Sequence, residues 1–265
     1  MRSPTTSRLD SLLPASRPFR YIALVMSLCL PLAPAWCQSS ATPQLQTVQS
    51  QAWAALVSAA PPTSVVLDGT FTSTAGSLTQ NGSAHLTVGA DGTFLINLSG
   101  NVTTISESRT VSDGIPACTW TDQQGVVHNS AFLNCMPPPW FFPGLTLLSS
   151  AVGASLPAWI PSSYTSDSLG NHLQFQFLLP LSSGNQEDPQ LLSPFDLVLD
   201  PNTHLPLYAK FTAHPDNPGI HADIPVQISY SDYRSVSGVM VPFHIQRYLN
   251  GSLVLDLTIA SASVQ

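Results

Sequence analysis

The stretch ISYSDYRSVSGVMVPFHIQRYLNGSLVLDL, residues 228–257, alternates apolar and polar side chains almost without a break. Such alternation places every second residue on one face of a β-strand. Two runs in this stretch each have an apolar face of their own: Val241, Phe243 and Ile245 in the first, and Leu253, Leu255 and Leu257 in the second. The stretch therefore predicts antiparallel strands joined by tight turns.

The turn at Asn250-Gly251 decides how the last two strands pair. A two-residue turn would set their apolar faces on opposite sides, because side chains alternate along a strand. A three-residue loop, Leu249-Asn250-Gly251, instead pairs Phe243 with Leu257 and Ile245 with Leu255, and we predict that loop. By the same argument, Val88 pairs with Phe94 across the loop Ala90-Asp91-Gly92, whose glycine takes the left-handed conformation.

The two-residue period recurs along most of the chain. It predicts further strands at 64–74, 83–88, 93–98, 102–111, 115–121, 125–133, 172–179, 195–200, 205–214 and 224–230. Residues 38–50 are rich in Gln, Ser and Thr and are expected to be extended, and Gln51–Ala60 predicts a short helix that ends before Pro61-Pro62.

Residues 136–164 form an insert that departs from the strand pattern. The insert begins with a Pro-rich aromatic turn, and its spacing of Leu145, Leu148, Val152 and Leu156 predicts a helix near 144–157. We therefore predict a mainly β (α+β) fold: a curled antiparallel sheet or half-barrel of about 11 strands, with a short N-terminal helix and a helical lid insert.

Residues 1–37 have the pattern of a secretory signal peptide. Four arginines precede the apolar run Tyr21–Ala35, and small residues at its end permit cleavage before Trp36 or before Gln38. The alternative is an uncleaved anchor, but this run is broken by two prolines and is shorter than the ~20 residues that cross a membrane. We predict an exported protein, periplasmic or extracellular, with residues 38–265 forming a single β-rich domain.

Charge excludes some classes of partner. Four basic and 14 acidic residues follow Cys37, which is a net charge of −10. Binding to nucleic acid or to anionic lipid surfaces depends on clustered Lys and Arg, so neither is expected. The 43% hydrophobic content of the whole chain also excludes a disordered acidic protein.

Cys118 and Cys135 are the two cysteines that remain if cleavage follows Cys37. An even number of cysteines in an oxidising compartment predicts a disulfide. The alternative is a reactive thiol, whose pKa only His128 is placed to lower, and we favour the disulfide.

Catalytic and cofactor motifs are absent: the sequence has no G-x-S-x-G, S-x-x-K, H-E-x-x-H, C-x-x-C or P-loop. Two polar groups of residues stand out: the segment with His214, Asp216, His221 and Asp223, and the pair His244 and Asp256. The first could hold a metal, but it also suits a solvated hairpin loop. The second could serve acid–base chemistry, but an exposed cross-strand contact is the favoured interpretation. We predict no enzyme, no metal and no cofactor.

Two phrases near the C-terminus carry a family resemblance. LVLDPNTHLPLYAKF and SDYRSVSGVMVPFHIQRYLNGSL resemble the C-terminal strands of exported proteins in the bacterial outer-membrane lipoprotein carrier superfamily (LolA-like, LolB-like and RseB-like domains). The motif D-x-x-T-x-L-P of that group matches Asp200, Thr203, Leu205 and Pro206; its motif Y-x-D-Y-R-x-V-x-G-x-x-x-P matches Tyr230, Asp232, Tyr233, Arg234, Val236, Gly238 and Pro242. The resemblance implies a half-barrel whose concave apolar face, lidded by helices, can hold acyl chains. The family's cationic groups for engaging lipoproteins and partners have no clear match here.

The predicted function is binding of a lipid-like apolar ligand by an exported, non-catalytic protein. The expected cavity and lid residues are Trp140, Phe141, Phe142, Leu145, Leu148, Phe243, Ile245, Leu255 and Leu257. The three consecutive aromatic residues are expected to form an apolar lip over the mouth of the half-barrel, because an irregular segment should not point all three side chains into one core. The alternative is that two of them are buried and one is incidental. The alternative functions are a structural or adhesive envelope protein and, after that, a secreted hydrolase. No oligomeric state is assigned.

Overall fold

A computed structural model of the chain describes residues 43–112, 115–122, 124–149, 159–177, 194–213 and 223–265. The predicted signal peptide and three of the four residues of the possible metal group (His214, Asp216 and His221) lie outside the described residues. None of the described helices is both long and apolar enough to cross a membrane.

The described residues contain thirteen strands, all in one antiparallel sheet. The first six are β1 Ser64–Ala75, β2 Leu78–Gly89, β3 Phe94–Gly100, β4 Thr104–Ser112, β5 Ile115–Thr121 and β6 Val127–Asn129. The other seven are β7 Trp159–Ser166, β8 Asn171–Phe177, β9 Phe195–Leu199, β10 Pro206–Ala213, β11 Ile224–Val236, β12 Val239–Leu249 and β13 Ser252–Val264. The predicted mainly β class is confirmed, with thirteen strands in place of about 11.

The order of strands across the sheet is β6-β5-β4-β3-β2-β1-β13-β12-β11-β10-β9-β8-β7. Each half is a meander in which consecutive strands pair, and the two halves join where β1 pairs with β13. Strands β6 and β7 are consecutive in the chain, but they lie at opposite edges of the sheet. The segment between them must therefore pass from one edge to the other.

Strand β7 was not predicted, because its residues were assigned to the insert at 136–164. It pairs with β8 from Trp159–Phe177 to Ser166–Asn171, so this end of the insert has a strand partner. The sequence WIPSSYTS lacks apolar alternation and contains Pro161, where the pairing register shifts. Proline is tolerated there because an edge strand has one side without a ladder partner.

Helix α1 spans Pro43–Leu56, so the expectation that residues 38–50 are extended is wrong from Pro43 onward. Its buried apolar side chains are Leu45, Val48, Ala52, Trp53 and Leu56. Their spacing of three and four residues is helical and begins well before Gln51, but the high content of Gln, Ser and Thr concealed it. The helix ends before Pro61-Pro62, as predicted.

One of the two predicted hairpin registers is confirmed and the other is wrong. Val88 pairs with Phe94, and Gly92 has a φ of 84°. At the second hairpin, Leu249 pairs with Ser252 around a two-residue turn, in which Asn250 and Gly251 have φ values of 49° and 77°.

A bulge reconciles this two-residue turn with a single core. Tyr248 pairs with Leu253 but Arg247 pairs with Leu255, so Val254 is an extra residue in β13. The extra residue returns the later apolar residues to the concave side, and Ile245 pairs with Leu257. The prediction of a three-residue loop failed because an extra residue within β13 changes the pairing register of β12 and β13 in the same way as an extra residue in the loop.

The segment that connects the two edges carries helices α2, Phe132–Cys135, and α3, Pro143–Leu147. The predicted helix near 144–157 is thus present over its first residues, while Val152 and Leu156 lie outside the described residues.

The three consecutive aromatic residues of this segment are all buried in one core: Trp140 is 8% exposed, Phe141 0% and Phe142 2%. The expectation that an irregular segment cannot point all three side chains into one core is therefore wrong. They fit because the concave sheet and α1 surround this segment. Tyr230 of β11 also donates a hydrogen bond to the carbonyl oxygen of Trp140 at 2.6 Å.

The predicted disulfide between Cys118 and Cys135 is present and ties β5 to α2. Phe177 of β8, near the opposite edge, packs against Cys118, Cys135 and Met136. The indole nitrogen Nε1 of Trp159 in β7 donates to the carbonyl oxygen of Met136 at 2.9 Å. The two ends of the sheet therefore approach each other through this segment, which gives the sheet its curl without closing it.

Removing the disulfide should lower the stability of the protein. Replacing both Cys118 and Cys135 by Ser opens a loop with a sequence separation of 17 residues, a change that costs about 3 kcal/mol in the chain-entropy view. We expect a lower midpoint of thermal unfolding, measured by circular dichroism on residues 38–265. A reductant should lower the midpoint of the parent protein but leave that of the double variant unchanged; an insensitive parent would contradict the prediction.

Candidate functional site

The nine residues predicted to line a cavity and its lid are all buried, none more than 8% exposed. They belong to one continuous apolar cluster that fills the concave face of the sheet. Only Trp140 and Leu255 among them also line an open cleft. The structure thus brings the predicted residues together, and it places most of them in the filled part of the half-barrel.

An open cleft of about 590 Å³ lies beside this filled region. Strands β1–β5 form one of its sides, and β12 and β13 form the other. Its large apolar side chains include Ile96, Leu98, Ile105, Trp120, Trp140 and Leu255. The volume and the mostly apolar lining are typical of small-molecule sites, which measure ~300–1,000 Å³.

A second cleft of about 270 Å³ lies between β3–β5 and β10–β12. Four residues line both clefts: Glu107, Trp120, Trp140 and Arg247. We call these four residues the shared wall. Strand pairing places two of them side by side, because Glu107 of β4 pairs with Trp120 of β5. Arg247 of β12 pairs with Leu255 of β13, which also lines the larger cleft.

The guanidinium of Arg247 is the unusual group of the shared wall. Its Cζ lies 5.2 Å from the centroid of the Trp140 ring, and no hydrogen bond or close carboxylate reaches Arg247 among the residues that the structure describes. Its Nε is buried without an acceptor, and so is Nε1 of Trp140. Burial lowers the pKa of Arg247, and the charge of Glu107 partly opposes that shift.

Arg109, also on the concave face, shows how a structural arginine is satisfied. Its Nε donates to the carbonyl oxygen of Gly92 at 2.7 Å, and its Nη1 donates to those of Cys135 and Pro137 at 3.2 and 2.6 Å. Burial lowers the pKa of Arg109 to about 10, although the charge of Asp91 opposes the shift. Arg109 therefore joins the β2–β3 hairpin to the crossing segment, whereas Arg247 has no comparable partner.

Sequence reasoning did not select Glu107 or Arg247. Arg247 lies in register with the apolar residues Phe243, Ile245 and Leu249 of β12, and that interruption of the pattern was the available signal. Glu107 lies between Ile105 and Arg109 in a strand whose faces were not assigned. A charged residue on an apolar face is the feature that could have identified both.

Ser231, His244 and Asp256 form a polar array on the outer face of the sheet. His244 Nε2 lies 2.8 Å from Asp256 Oδ1, and Ser231 Oγ lies 3.2 Å from His244 Nδ1. The predicted direct pairing of His244 with Asp256 is wrong, because His244 pairs with Thr258 and reaches the aspartate diagonally. The array has the residue types of a serine hydrolase triad. Neither of the two clefts described above includes any of the three side chains.

His172 is held between two aspartates on the other half of the sheet. Its Nδ1 lies 3.0 Å from Asp196 Oδ2, and its Nε2 lies 3.2 Å from Asp167 Oδ1. Burial lowers the pKa of His172, but the hydrogen bonds and charges of Asp196 and Asp167 outweigh burial and raise it overall. Among the described residues, no group of three or more His, Cys, Asp or Glu side chains is placed to hold a metal ion.

The raised pKa of His172 predicts a pH-dependent contribution to stability. The protonated ring is favoured in the folded state, so this stabilisation is fully present below the unfolded pKa of ~6.5 and is lost as the pH rises through the folded pKa. We expect His172→Asn to lower the free energy of unfolding in urea more at pH 5.5 than at pH 8.5. An equal loss at the two pH values would contradict the assignment.

Comparison with known proteins gives likeness in fold only. No protein-family description and no curated protein sequence matches the chain. Similar solved structures include a LolA superfamily protein from Nitrosomonas europaea, with 10% identity, coverage of 83% of this chain and 93% of that one, and a TM-score of 0.47. A DUF1329 family protein from Desulfovibrio piger has 8% identity, coverage of 84% and 91%, and a TM-score of 0.47.

A third similar structure is a domain from Vibrio parahaemolyticus assigned to outer membrane lipoprotein sorting. It has 9% identity, coverage of 84% of this chain and 90% of that one, and a TM-score of 0.46. The superfamily that the C-terminal phrases resemble is thus represented among the similar structures. All three TM-scores are below 0.5, so we rest no functional argument on these likenesses.

Proposed function

We propose that this chain is an exported, non-catalytic protein that binds an apolar, lipid-like ligand in the cleft of about 590 Å³. The observation that carries the proposal is an open cleft with a mostly apolar lining on the concave face of the sheet. Export is supported by the pattern of residues 1–37 and by the disulfide, a bond that persists in oxidising compartments.

The ligand site lies beside the crossing segment in this proposal, and Trp140 forms part of its lining. Phe141 and Phe142 are fully packed, so they support the fold and only Trp140 of the three reaches the cleft. The ligand contacts fall instead on partly exposed side chains such as Ile105, Leu249 and Val254.

Burial of an apolar chain supplies a net favourable free energy of binding at such a site. A twelve-carbon chain gains about 0.8 kcal/mol per methylene, or ~10 kcal/mol before the cost of association. Association and ordering cost ~4 kcal/mol or more, and the remainder corresponds to micromolar or weaker binding. The apolar lining of the cleft can therefore hold such a ligand without a dedicated charged contact.

The competing proposal of a secreted hydrolase rests on the array of Ser231, His244 and Asp256. A serine nucleophile also needs backbone donors for the oxyanion and a cleft that holds the substrate. The three residues lie within the paired strands β11, β12 and β13, and none of them lines either of the two clefts described above. We therefore place this proposal second, and the structural or adhesive function, which requires no cleft, third.

An uncharged dye tests binding to the cleft. N-phenyl-1-naphthylamine fluoresces in apolar surroundings, and we expect saturable binding to residues 38–265. Ile105→Asp places a charge in the lining of the cleft, so it should weaken binding at least tenfold because a desolvated carboxylate is costly. The matched control is Thr110→Asp on the exposed face of the same strand, which should bind as the parent does.

Native mass spectrometry of protein purified from the exporting cell provides a second readout. A co-purifying lipid that is absent from Ile105→Asp but present in Thr110→Asp would support the proposal. Substitutions of Phe142 or Phe243 by Asp are unsuitable for this purpose, because these side chains are 2% and 6% exposed and their loss disrupts the core. An unliganded protein that also ignores the dye would favour the structural function.

Ester hydrolysis tests the competing proposal. We expect Ser231→Ala and His244→Ala to leave the rate with p-nitrophenyl esters at the value of the parent protein, because neither of the two clefts described above includes Ser231. Turnover in the parent that both variants abolish would reverse the order of the two proposals.

A further inference from the structure

Arg247 is a cation on a face that is otherwise built from apolar side chains. Its neighbours along the strand on the same face are Ile245, which is fully buried, and Leu249, and its cross-strand partner is Leu255, which is 7% exposed. A guanidinium carries five N–H donors, and the Nε donor of Arg247 is buried without an acceptor, which opposes folding. Arg247 as a whole is partly exposed, so an acceptor from another molecule would offset that cost.

A second donor lies against the first. Trp140 is 8% exposed, its ring lies under the guanidinium, and its Nε1 is buried without a partner. Both residues line both clefts. Two neighbouring groups that can only donate hydrogen bonds complement a ligand group that accepts them, and a positive charge favours an anionic acceptor.

The two carboxylates that line the larger cleft limit the charge that a ligand can carry. Glu107 interacts with Arg247 through charge but forms no hydrogen bond with it. Asp122 is already engaged by His128 Nε2 at 2.7 Å and by the backbone N–H groups of Gln124 and Val126. With one cation facing these acids, the site suits a head group with a single negative charge better than one with two.

We propose that the ligand is a long-chain carboxylic acid whose carboxylate binds at the guanidinium of Arg247, with Trp140 as the second donor. This inference rests on the proposed function and names the chemical class of its ligand. The tail lies along Ile96, Leu98, Ile105 and Leu255, and the head meets the shared wall. Glu107 opposes binding of the acid, because its negative charge lies beside the same cation.

The experiment compares an acid with a neutral molecule of the same chain length. Dodecanoate and 1-dodecanol each compete with N-phenyl-1-naphthylamine for residues 38–265. Arg247→Met keeps an unbranched apolar stem and removes the guanidinium donors, so it should weaken dodecanoate tenfold or more and change dodecanol less than twofold. Glu107→Gln should strengthen dodecanoate and leave dodecanol unchanged.

Arg234→Met is the matched control, because it also removes one positive charge. Arg234 is exposed, its Nη2 lies 2.6 Å from Asp232 Oδ2, and it lines neither the larger nor the smaller cleft. It should change the binding of dodecanoate less than twofold. Trp140→Phe keeps an aromatic side chain but removes the donor Nε1. It should weaken the binding of dodecanoate severalfold without affecting the binding of dodecanol.

Thermal unfolding distinguishes a ligand-binding role from a structural one. Because the Nε donor of Arg247 is buried without an acceptor, which opposes folding, Arg247→Met should unfold at the midpoint of the parent or above it. A lowered midpoint in both Arg247→Met and Glu107→Gln would show that the two residues form a structural pair, and would overturn the inference.

The failure of the inference is distinct from failure of the proposed function. If the parent binds the dye and dodecanol, but Arg247→Met weakens the acid and the alcohol equally, the inference alone is wrong. If the parent binds neither the dye nor dodecanol, the proposed function is wrong and the inference fails with it.

Discussion

Residues 140–148 lie in the segment between β6 and β7 and pack into the concave face of the sheet, whose opposite edges those two strands form. Antiparallel meanders normally keep consecutive strands adjacent, and this chain does so everywhere except between β6 and β7. The crossing segment supplies the side chains that an open, curled sheet lacks on its inner face. Its position is held by the disulfide at Cys135, by the carbonyl contacts of Arg109, and by the hydrogen bond from Tyr230 to Trp140.

This crossing divides the half-barrel into a filled part and an open part. Phe141, Phe142 and the α3 residues are buried in the apolar core, which also includes residues of α1. Trp140 belongs to this core and also lines the cleft, whose other lining residues lie in strands or in the loops beside them. The same indole that closes the core therefore also supports the guanidinium of Arg247.

The two arginines of the concave face show how similar residues take different roles. Arg109 donates to three carbonyl oxygens that the crossing segment and a hairpin present, so its burial stabilises the fold. Arg247 has the same charge and a similar environment, but no described group accepts from it. In contrast, charged groups on the outer face are mostly paired, as His172 is with Asp167 and Asp196. The difference supports the inner face as the proposed binding site.

The sequence by itself determined the strands and their inward side chains, because a period of two and the position of turn residues are local properties. It also predicted the pairing of Val88 with Phe94 and the bond between Cys118 and Cys135. Only the tertiary structure decided the pairing of β7, the bulge at Val254, the burial of all three aromatics, and the meeting of Glu107, Trp140 and Arg247. These features depend on which strand faces which across the curled sheet, and such contacts between residues far apart in the chain leave no periodic signal in it.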